Sequence, residues 1–497
     1  MRRTRSTTKT KTNPKAIDKQ VQDIIEDAML HIKAEEDYYD YALHVIEDRA
    51  IYAKIDGLKP VTRRLLWAAH NLGLSSTSKF IKAQRLGGET MGKYHPHGDA
   101  AIFGALVTAV NQYQNLFEGS GNWGTMVDPP AAPRYVECRL SKYADKIFFD
   151  KFYLNSVHYT PNYDDSDKEP LILPALLPNA LINGNFGIAP GVRTQTPTFT
   201  LESVAKVLIA ALKNGGVATP QICLDLEFVT EYGGAVRKTP TLKADKLAFF
   251  KSGKGRFLFD SQYTEDGKKN AVRIDRFAPI GNIDGVLTRT AALPGVLRVR
   301  DASSKNDRHN AYEVEFNKTT TGAAKAAVLK KVMDVFSGAL SYNVQVVDRK
   351  PDPDKLYGFK QLNMSNVPEM LTHWIKYRIS LERSACKFWI AKRDKEIEYL
   401  QLMRLAVKNR AFIIKALDKP LDDVGLAEYI AKGLKITVEQ ANQILDLKVR
   451  QLKALEDTKL VDKIETLEDE IESYEDRIAR PKSFIAKQIV KLSKELA

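Results

Sequence analysis

The spacing of apolar positions predicts helices at both ends of this chain and a mixed region between them. Apolar side chains recur on one stripe of residues 16–34, which predicts an amphipathic helix. Between residues 171 and 347, short strand-like runs such as RFLFD and AYEVEF alternate with helical segments. From Val367 onward the pattern is almost entirely helical. We therefore expect a multidomain α+β protein.

Residues 35–160 combine helical patterns with a glycine-rich hairpin. Tyr38 to Gly73 predicts two helices separated by a glycine turn, and Pro60 falls in the first turn of the second helix, where proline is favoured. A further helix is expected to begin near Asp99, whose carboxylate can cap it. Helices followed by such a hairpin predict a winged-helix module, which docks on duplex DNA.

The last third of the chain predicts a long two-helix arm. One long helix is expected over Ile379 to Lys415 and a second one ends near Ala479, with a short helical segment between them. Apolar residues from Val461 to Ile478 are spaced 3, 3, 4, 3 and 4, which is a heptad-like seam. This pattern predicts an antiparallel coiled coil with a tip. One elongated helical domain in a monomer is the alternative.

The net charge of the chain is positive, and much of the excess lies in the N-terminal tail. The chain has 497 residues and a formal charge of +13, and residues 1–15 contain six Lys or Arg and no acid. That tail is expected to be disordered and to serve either as a phosphate-binding arm or as a solubilising tail.

Cys138, Cys223 and Cys386 show no CxxC spacing, so we expect no metal site from them. No apolar run reaches membrane-spanning length, and we expect a cytoplasmic protein, in the host cytoplasm if the source is viral.

Two short stretches contain candidate functional residues. His95 and His97 bracket a proline at the expected start of a helix, where backbone N–H groups and the helix dipole favour anions. Arg134 and Tyr135 follow a loop rich in glycine and proline. Taken alone, a tyrosine in this setting is more often a packing residue with one polar tip.

The order of several motifs resembles the DNA-cleaving chain of type IIA topoisomerases. These motifs are GLKPVTRRLLWAA from Gly57, GKYHPHGDAAIF from Gly92, AAPRYVECRL from Ala131, LPNALINGNFGIA from Leu177 and ILDLKVRQLKALE from Ile444. The family includes the gyrase A subunit, the topoisomerase IV cleavage subunit and the T-even phage medium subunit. We call it the gyrase A / topoisomerase IV family. The chain most resembles the phage protein in its short, split form.

The resemblance implies a transesterification centred on Tyr135. Its hydroxyl would attack a DNA phosphate, forming a 5′-phosphotyrosyl link and freeing a 3′ hydroxyl, and resealing would be the reverse reaction. A tyrosine hydroxyl needs nearby positive charge to become a good nucleophile, and Arg134 is placed to supply it. Arg49, His95 and His97 match other positions in the family's cleavage site.

Seven further residues are expected to bind DNA. Ile188 matches the isoleucine that the family inserts between base steps, which kinks the duplex; a core isoleucine is the alternative. The other six are basic and are expected to contact phosphates: Lys59, Arg63, Arg64, Lys93, Lys254 and Arg256.

The resemblance also implies cofactors and partners. Two copies are required for a double-strand break, so we expect a homodimer on double-stranded DNA. No Toprim or nucleotide-binding motif is recognisable, so we expect no metal ligands in this chain. Large partner subunits would supply the Toprim carboxylates that hold Mg²⁺ and the ATPase that hydrolyses ATP. No membrane partner is expected.

Five segments follow from these patterns together with the resemblance. They are a basic tail at residues 1–15, a partner-contacting helix at 16–34, a winged-helix DNA-cleavage domain at 35–160, an α/β tower domain at 161–365, and a coiled coil with a helical dimer gate at 366–497.

Three functions stay open on the sequence. The first is the cleavage subunit of an ATP-dependent type II topoisomerase that relaxes or decatenates DNA, because the chain ends after the coiled coil without a wrapping domain. The second is a gyrase A-type supercoiling subunit whose wrapping domain lies on another chain. The third is a non-catalytic DNA-binding or DNA-bridging dimer that retains only the scaffold.

Overall fold

The computed structural model describes residues 30–125, 128–266, 269–304, 310–350, 359–446 and 457–496. The basic tail, most of the predicted helix at 16–34 and residues 447–455 of the predicted tip lie outside the described residues. Within the described part of the chain, no helix combines the length and apolarity needed to cross a bilayer.

Helices and one small sheet form the N-terminal part. The helices are α1 (Leu30–Val45), α2 (Pro60–Asn71), α3 (Ala83–Lys93), α4 (Asp99–Asn111), α5 (Lys142–Phe148) and α6 (Lys151–Leu154). Strands β1 (Ile81–Lys82), β2 (Phe117–Ser120) and β3 (Glu137–Leu140) pair in the antiparallel order β1-β3-β2.

The predicted helix starts at Pro60 and Asp99 are confirmed. Gly98, however, is the N-cap residue of α4, and the Asp99 carboxylate accepts a hydrogen bond from the Ala100 N–H at 2.8 Å inside the first turn. The helix α4 therefore starts at the predicted residue, but its N-cap residue is Gly98 and not Asp99.

A short hairpin follows, where the sequence suggested a polar break between domains. Strands β4 (Tyr159–Pro161) and β5 (Lys168–Pro170) pair antiparallel. The Trp67 indole N–H of α2 donates to the Lys168 carbonyl at 2.9 Å. Buried apolar residues before and after this hairpin contribute to one large core that extends from Tyr52 to Leu492. The hairpin is therefore packed onto the N-terminal helices and does not separate two cores.

The middle of the chain contains a seven-stranded sheet and a four-stranded sheet. The helices here are α7 (Asn179–Ile182), α8 (Leu201–Lys213), α9 (Leu242–Ser252), α10 (Ile283–Ala291) and α11 (Gly322–Val335). The strands are β6 (Asn185–Ala189), β7 (Val192–Thr196), β8 (Thr198–Phe199), β9 (Phe228–Val229), β10 (Ala235–Val236), β11 (Lys254–Asp260), β12 (Gln262–Asp266), β13 (Ala271–Arg276), β14 (Val296–Asp301), β15 (Tyr312–Phe316), β16 (Ser337–Asn343), β17 (Gln345–Lys350) and β18 (Phe359–Met364). The predicted α+β character of this region is confirmed.

The two larger sheets belong to different cores. The seven-stranded sheet has the order β6-β7-β16-β11-β10-β9-β8, and the aromatic residues Phe228, Phe249 and Phe257 on and beside it lie in the main core. The four-stranded sheet has the order β12-β13-β15-β14 and packs against α10 and α11 around Phe277 and Phe336 in a second core. Strands β17 and β18 form a separate hairpin.

The C-terminal part is helical throughout its described residues after 366, apart from short connections. It contains α12 (Val367–Lys408), α13 (Arg410–Leu417), α14 (Asp423–Leu434), α15 (Val438–Leu445), α16 (Asp457–Ala479) and α17 (Pro481–Leu496). Helices α12 and α16 run antiparallel, because Glu382 pairs with Arg477 near one end and Arg404 with Asp457 near the other. Ile464 and Leu467, two residues of the heptad-like seam, are buried in a small core that the two helices share.

Candidate active site

A cleft of about 630 Å³ collects four of the predicted site residues. Arg49, Lys59, His95 and His97 line it, together with side chains of α4 and of the β6–β7 hairpin. Two cationic side chains and two imidazoles in one cleft provide hydrogen-bond donors for phosphate oxygens.

Arg49 reaches the cleft from a π-helical turn, Ile46–Ala50, that continues α1. The turn is held because Ala50 and Ile51 are buried against Ala189 at the end of β6. Arg49 itself remains exposed. A buried apolar anchor thus presents a long cationic side chain to the cleft.

Lys59 precedes α2 and is bound to the β6–β7 hairpin. Its Nζ donates to the Phe186 carbonyl at 2.7 Å. Burial lowers the pKa of the Lys59 amine. Lys59 therefore connects the start of α2 to the hairpin that carries Ile188.

The surroundings of Arg63, which was predicted to bind DNA, do not favour that role. Its guanidinium is buried and donates to both carboxylate oxygens of Asp56, at 2.7 and 2.9 Å. Asp56 is fully buried and also accepts from the backbone N–H groups of Leu58 and Leu173. Arg63 neutralises a buried carboxylate, and its donors are directed into the core instead of toward solvent.

Arg64, also predicted to bind DNA, is half-buried between two side chains. It donates to both oxygens of Glu169, at 2.7 and 2.8 Å, and to Nδ1 of His95 at 3.0 Å. A guanidinium only donates, so Nδ1 of His95 must accept and its proton must sit on Nε2. Arg64 therefore sets the tautomer of His95, and direct contact with DNA is not needed for that role.

His95 is neutral at physiological pH. Burial, followed by the charges of Arg64, His97 and Arg49, lowers its pKa to about 3. Because this pKa lies below the ordinary value of 6.5, the stabilising contribution of neutral His95 is present above pH 6.5 and is lost as the pH falls toward 3. The pKa of His97 is also lowered, first by burial and then by Arg49. Neutral His95 offers an Nε2–H donor and is not set up as a base.

Replacing Glu169 with glutamine is expected to release the Arg64 side chain and, through it, to disturb the tautomer of His95. The neutral amide loses the paired charge that fixes Arg64, and His95 then populates both tautomers. Nitrogen NMR of the His95 ring should show the mixed tautomers, which a purely structural role for Glu169 would not produce. Glu118→Gln, which breaks a carboxylate–Arg139 pair elsewhere, is the control. A single His95 tautomer in Glu169→Gln would contradict this role.

Arg134 and Tyr135 lie in a turn that is fixed to the start of α3. The N–H groups of Ala83 and Gln84 donate to the carbonyls of Val136 and Pro133, at 3.0 and 3.1 Å. Tyr135 is 64% exposed, and the Arg134 guanidinium carbon lies 4.6 Å from the centre of its ring. The backbone of the pair is thus held in place while the tyrosine ring faces solvent.

The exposed tyrosine and the cleft lie at opposite ends of α3. Tyr135 is next to the N-terminus of this helix and His95 follows its C-terminus, and its 11 residues span about 16 Å. Among the described residues that line the cleft, neither Arg134 nor Tyr135 is present. The sequence-predicted catalytic residues therefore form two separate groups within one chain.

The remaining predicted DNA-binding residues lie outside these two groups. Lys93 is exposed and pairs with Glu89 at 2.7 Å, and that hydrogen bond raises the pKa of its amine. Lys254 and Arg256 are exposed at alternate positions of β11 and therefore share one face. Ile188 is 63% exposed on β6, so the alternative of a core isoleucine is wrong.

Gly187, beside Ile188, has no room for a side chain. A methyl group there would lie 2.0 Å from the Ala50 carbonyl oxygen. We expect Gly187→Ala to push the hairpin away from the π-helical turn and to lower the free energy of unfolding by about 1–3 kcal/mol. Thermal denaturation measures this effect. The control Gly281→Ala places its methyl in open space and should leave the melting temperature unchanged; an equal loss in both variants would refute the proposed steric contact.

Sequence reasoning missed Glu169 and Phe186. Glu169 fell in a stretch interpreted as a polar break, and its partner Arg64 lies 105 residues earlier, so no local pattern could indicate the pair. Phe186 did have a signal, since it precedes Ile188 by two residues and strand periodicity places both on one face.

The described residues provide no cluster of metal-ligating side chains. Among residues 30–125, 128–266, 269–304, 310–350, 359–446 and 457–496, no group of three or more His, Cys, Asp or Glu could hold a metal ion.

A mixed α/β, multidomain chain with these features is consistent with the DNA-cleaving subunits of type IIA topoisomerases. The model of the family formed by the A subunits of DNA gyrase and topoisomerase IV matches residues 49–492, most of the chain. The chain belongs to this family. The particular kinship with the T-even phage protein stays a prediction.

Curated relatives agree with this assignment. The chloroplastic/mitochondrial DNA gyrase A subunit of Nicotiana benthamiana is 31% identical over 457 residues, covering 88% of this chain and 47% of the relative. The DNA topoisomerase 4 A subunit of Salmonella typhimurium is 32% identical over 464 residues, covering 90% of this chain and 59% of the relative. The chain thus spans about half to three fifths of the length of these relatives.

Proposed function

We propose that this chain is the DNA-breaking and rejoining subunit of an ATP-dependent type II topoisomerase. The observation that carries the proposal is the exposed Arg134–Tyr135 pair, with the guanidinium carbon 4.6 Å from the ring centre, in a chain of this family. With its partners, the enzyme relaxes or decatenates DNA by passing one duplex through a transient break in another.

The covalent step exchanges one phosphate ester for another. The Tyr135 oxygen attacks the DNA phosphorus and loses its proton, the bond from phosphorus to the 3′ oxygen breaks, and that oxygen gains a proton. The product is a 5′-phosphotyrosyl link and a free 3′ hydroxyl. Because one phosphodiester replaces another, the reverse reaction reseals the strand without ATP. Arg134 stabilises the charge that develops on the phosphate oxygens.

The cleft and the N-terminal helices serve as the DNA-binding surface. Helices α2 to α4 with the β1-β3-β2 sheet act as the winged-helix module, and Arg49, Lys59 and His97 contact phosphates in the cleft. Neutral His95 donates its Nε2–H to a phosphate oxygen. Exposed Lys93, Lys254 and Arg256 extend the contact with DNA phosphates along the duplex. Exposed Ile188 inserts between base steps.

A second copy completes the site. The separation of about 16 Å between Tyr135 and His95 along α3 is too large for both to act on one phosphate, so Tyr135 of one copy acts beside the cleft of the other. The two long antiparallel helices form the coiled-coil arm. Exposed Ile414, Leu417 and Val424 near its far end supply an apolar surface for the dimer gate.

Mg²⁺ and ATP belong to partner subunits in this proposal. The partners carry the Toprim carboxylates for the metal and the ATPase. When bound, Mg²⁺ would stabilise negative charge on the reacting phosphate. This chain's own residues hold the DNA, supply the nucleophile and position the phosphate.

Reconstitution of the full chain with its partner subunit tests the proposal. Denaturant added during the reaction with Mg²⁺ should trap DNA joined covalently to the chain, and mass spectrometry should map the link to the peptide containing Tyr135. Binding without any trapped adduct would favour the non-catalytic bridging dimer. Supercoiling of relaxed plasmid would favour the gyrase-type alternative over relaxation and decatenation.

A further inference from the structure

Two neighbouring apolar side chains are exposed on strand β6. Phe186 is 51% exposed and Ile188 is 63% exposed, whereas Gly187 and Ala189 between and after them are buried. Alternate residues of a strand share one face, so Phe186 and Ile188 point the same way, about 6.7 Å apart along the strand. Successive bases of one DNA strand are about 3.4 Å apart. Both side chains can therefore reach the same stretch of two or three bases.

The strand that carries this pair is rigidly supported. Strands β6 and β7 pair over five residues each, from Asn185↔Thr196 to Ala189↔Val192. The backbone of Gly187 lies against the Ala50 carbonyl, and Lys59 Nζ holds the Phe186 carbonyl at 2.7 Å. The exposed face cannot retract into the core without breaking these contacts.

The surroundings of Phe186 are cationic. Arg193 lies opposite Ile188 in the hairpin, and its guanidinium carbon is 5.8 Å from the centre of the Phe186 ring. Phe186 also lines the cleft that contains Arg49 and Lys59. An exposed aromatic ring among cations matches nucleic acid, because bases stack on the ring while phosphates meet the positive charges. A protein partner would have to present acidic groups to the same surface.

We propose that Phe186 stacks on a DNA base flanking the step that Ile188 opens, so that the two side chains form a single wedge. This inference rests on the proposed function and adds a second residue to the deformation of DNA. Ile188 separates the base step, and Phe186 recovers part of the lost base stacking. The cost of kinking is lowest at pyrimidine–purine steps, so the pair also favours such steps near the break.

The test measures DNA affinity and bending for the full chain with its partner, using a short duplex with a fluorophore at each end. Phe186→Ala is expected to weaken binding about tenfold and to reduce the bend, whereas Phe186→Trp retains both. Ile188→Ala should reduce the bend as well. Leu297→Ala removes an equally exposed apolar side chain from the four-stranded sheet and should change neither.

The outcomes separate this inference from the proposed function. If wild type forms the covalent adduct but Phe186→Ala binds and bends DNA like Leu297→Ala, the role of Phe186 is refuted and the proposed function stands. If Phe186→Ala changes the sedimentation of the assembly and leaves DNA binding intact, the ring is covered by protein and the inference fails. If wild type forms no adduct, the proposed function itself fails.

Discussion

Tyr135→Phe is expected to abolish the covalent protein–DNA adduct and to lower the rate of plasmid relaxation by at least about a thousandfold, the order seen when a covalent nucleophile is removed. The substitution deletes one oxygen, and because the ring is 64% exposed, no core packing is lost. DNA affinity and melting temperature should stay at their wild-type values. Gel assays with end-labelled DNA and a relaxation assay with ATP and Mg²⁺ measure the two activities.

Tyr263→Phe provides a matched control for this substitution. Tyr263 is also exposed, on strand β12 of the four-stranded sheet, and it lies outside the proposed site. It should retain full activity. An adduct formed at wild-type yield by Tyr135→Phe would show that another group is the nucleophile and would overturn the assignment.

Glu382→Gln is expected to lower the free energy of unfolding by roughly 3–5 kcal/mol. Glu382 and Arg378 are fully buried where α12 meets α16, and Glu382 also pairs with Arg477 at 2.6 Å. The Tyr153 hydroxyl of α6 donates to the same carboxylate at 2.7 Å, and burial raises its pKa to about 12, so it stays protonated. Removing the one negative charge leaves two guanidinium groups without compensation.

Urea denaturation monitored by circular dichroism measures this loss. Glu468→Gln, on the exposed surface of α16, is the control and should change little. Because the network joins α6 to both helices of the arm, the helical signal of the arm should be lost at lower urea in Glu382→Gln. Equal unfolding midpoints in the two variants would show that the buried pair contributes no net stability.

Local patterns were sufficient for several elements of secondary structure. Proline at the first turn indicated the start of α2 at Pro60, and the heptad-like seam located α16 with Ile464 and Leu467 buried. Such features are determined by residues three or four positions apart, so they can be recognised without the fold. Strand periodicity is likewise consistent with Ile188 on an exposed face next to a buried glycine.

The local sequence pattern could not show which basic side chains are buried in ion pairs and which are free to contact DNA. Arg63 and Arg64 are adjacent in a motif of the family, yet the first is buried against Asp56 and the second is held by Glu169. Adjacent residues on a helix point about 100° apart. Arg63 therefore faces the core, whereas Arg64 faces the β4–β5 hairpin that carries Glu169. The direction of each side chain depends on what packs against α2, and that contact comes from residues far along the chain.

The sequence by itself determined the family, several of the helices, the mixed α/β character of the middle region and the candidate nucleophile, because these are carried by motifs and by periodicity along the chain. Only the tertiary structure decided that Arg63 is a core residue, that Glu169 and Arg64 fix the tautomer of His95, and that Tyr135 lies at the other end of α3 from the cleft. The physical reason is that each of these facts depends on which surfaces meet after folding. Burial and charge pairing between distant segments set those contacts, and neither is encoded in the local spacing of residues.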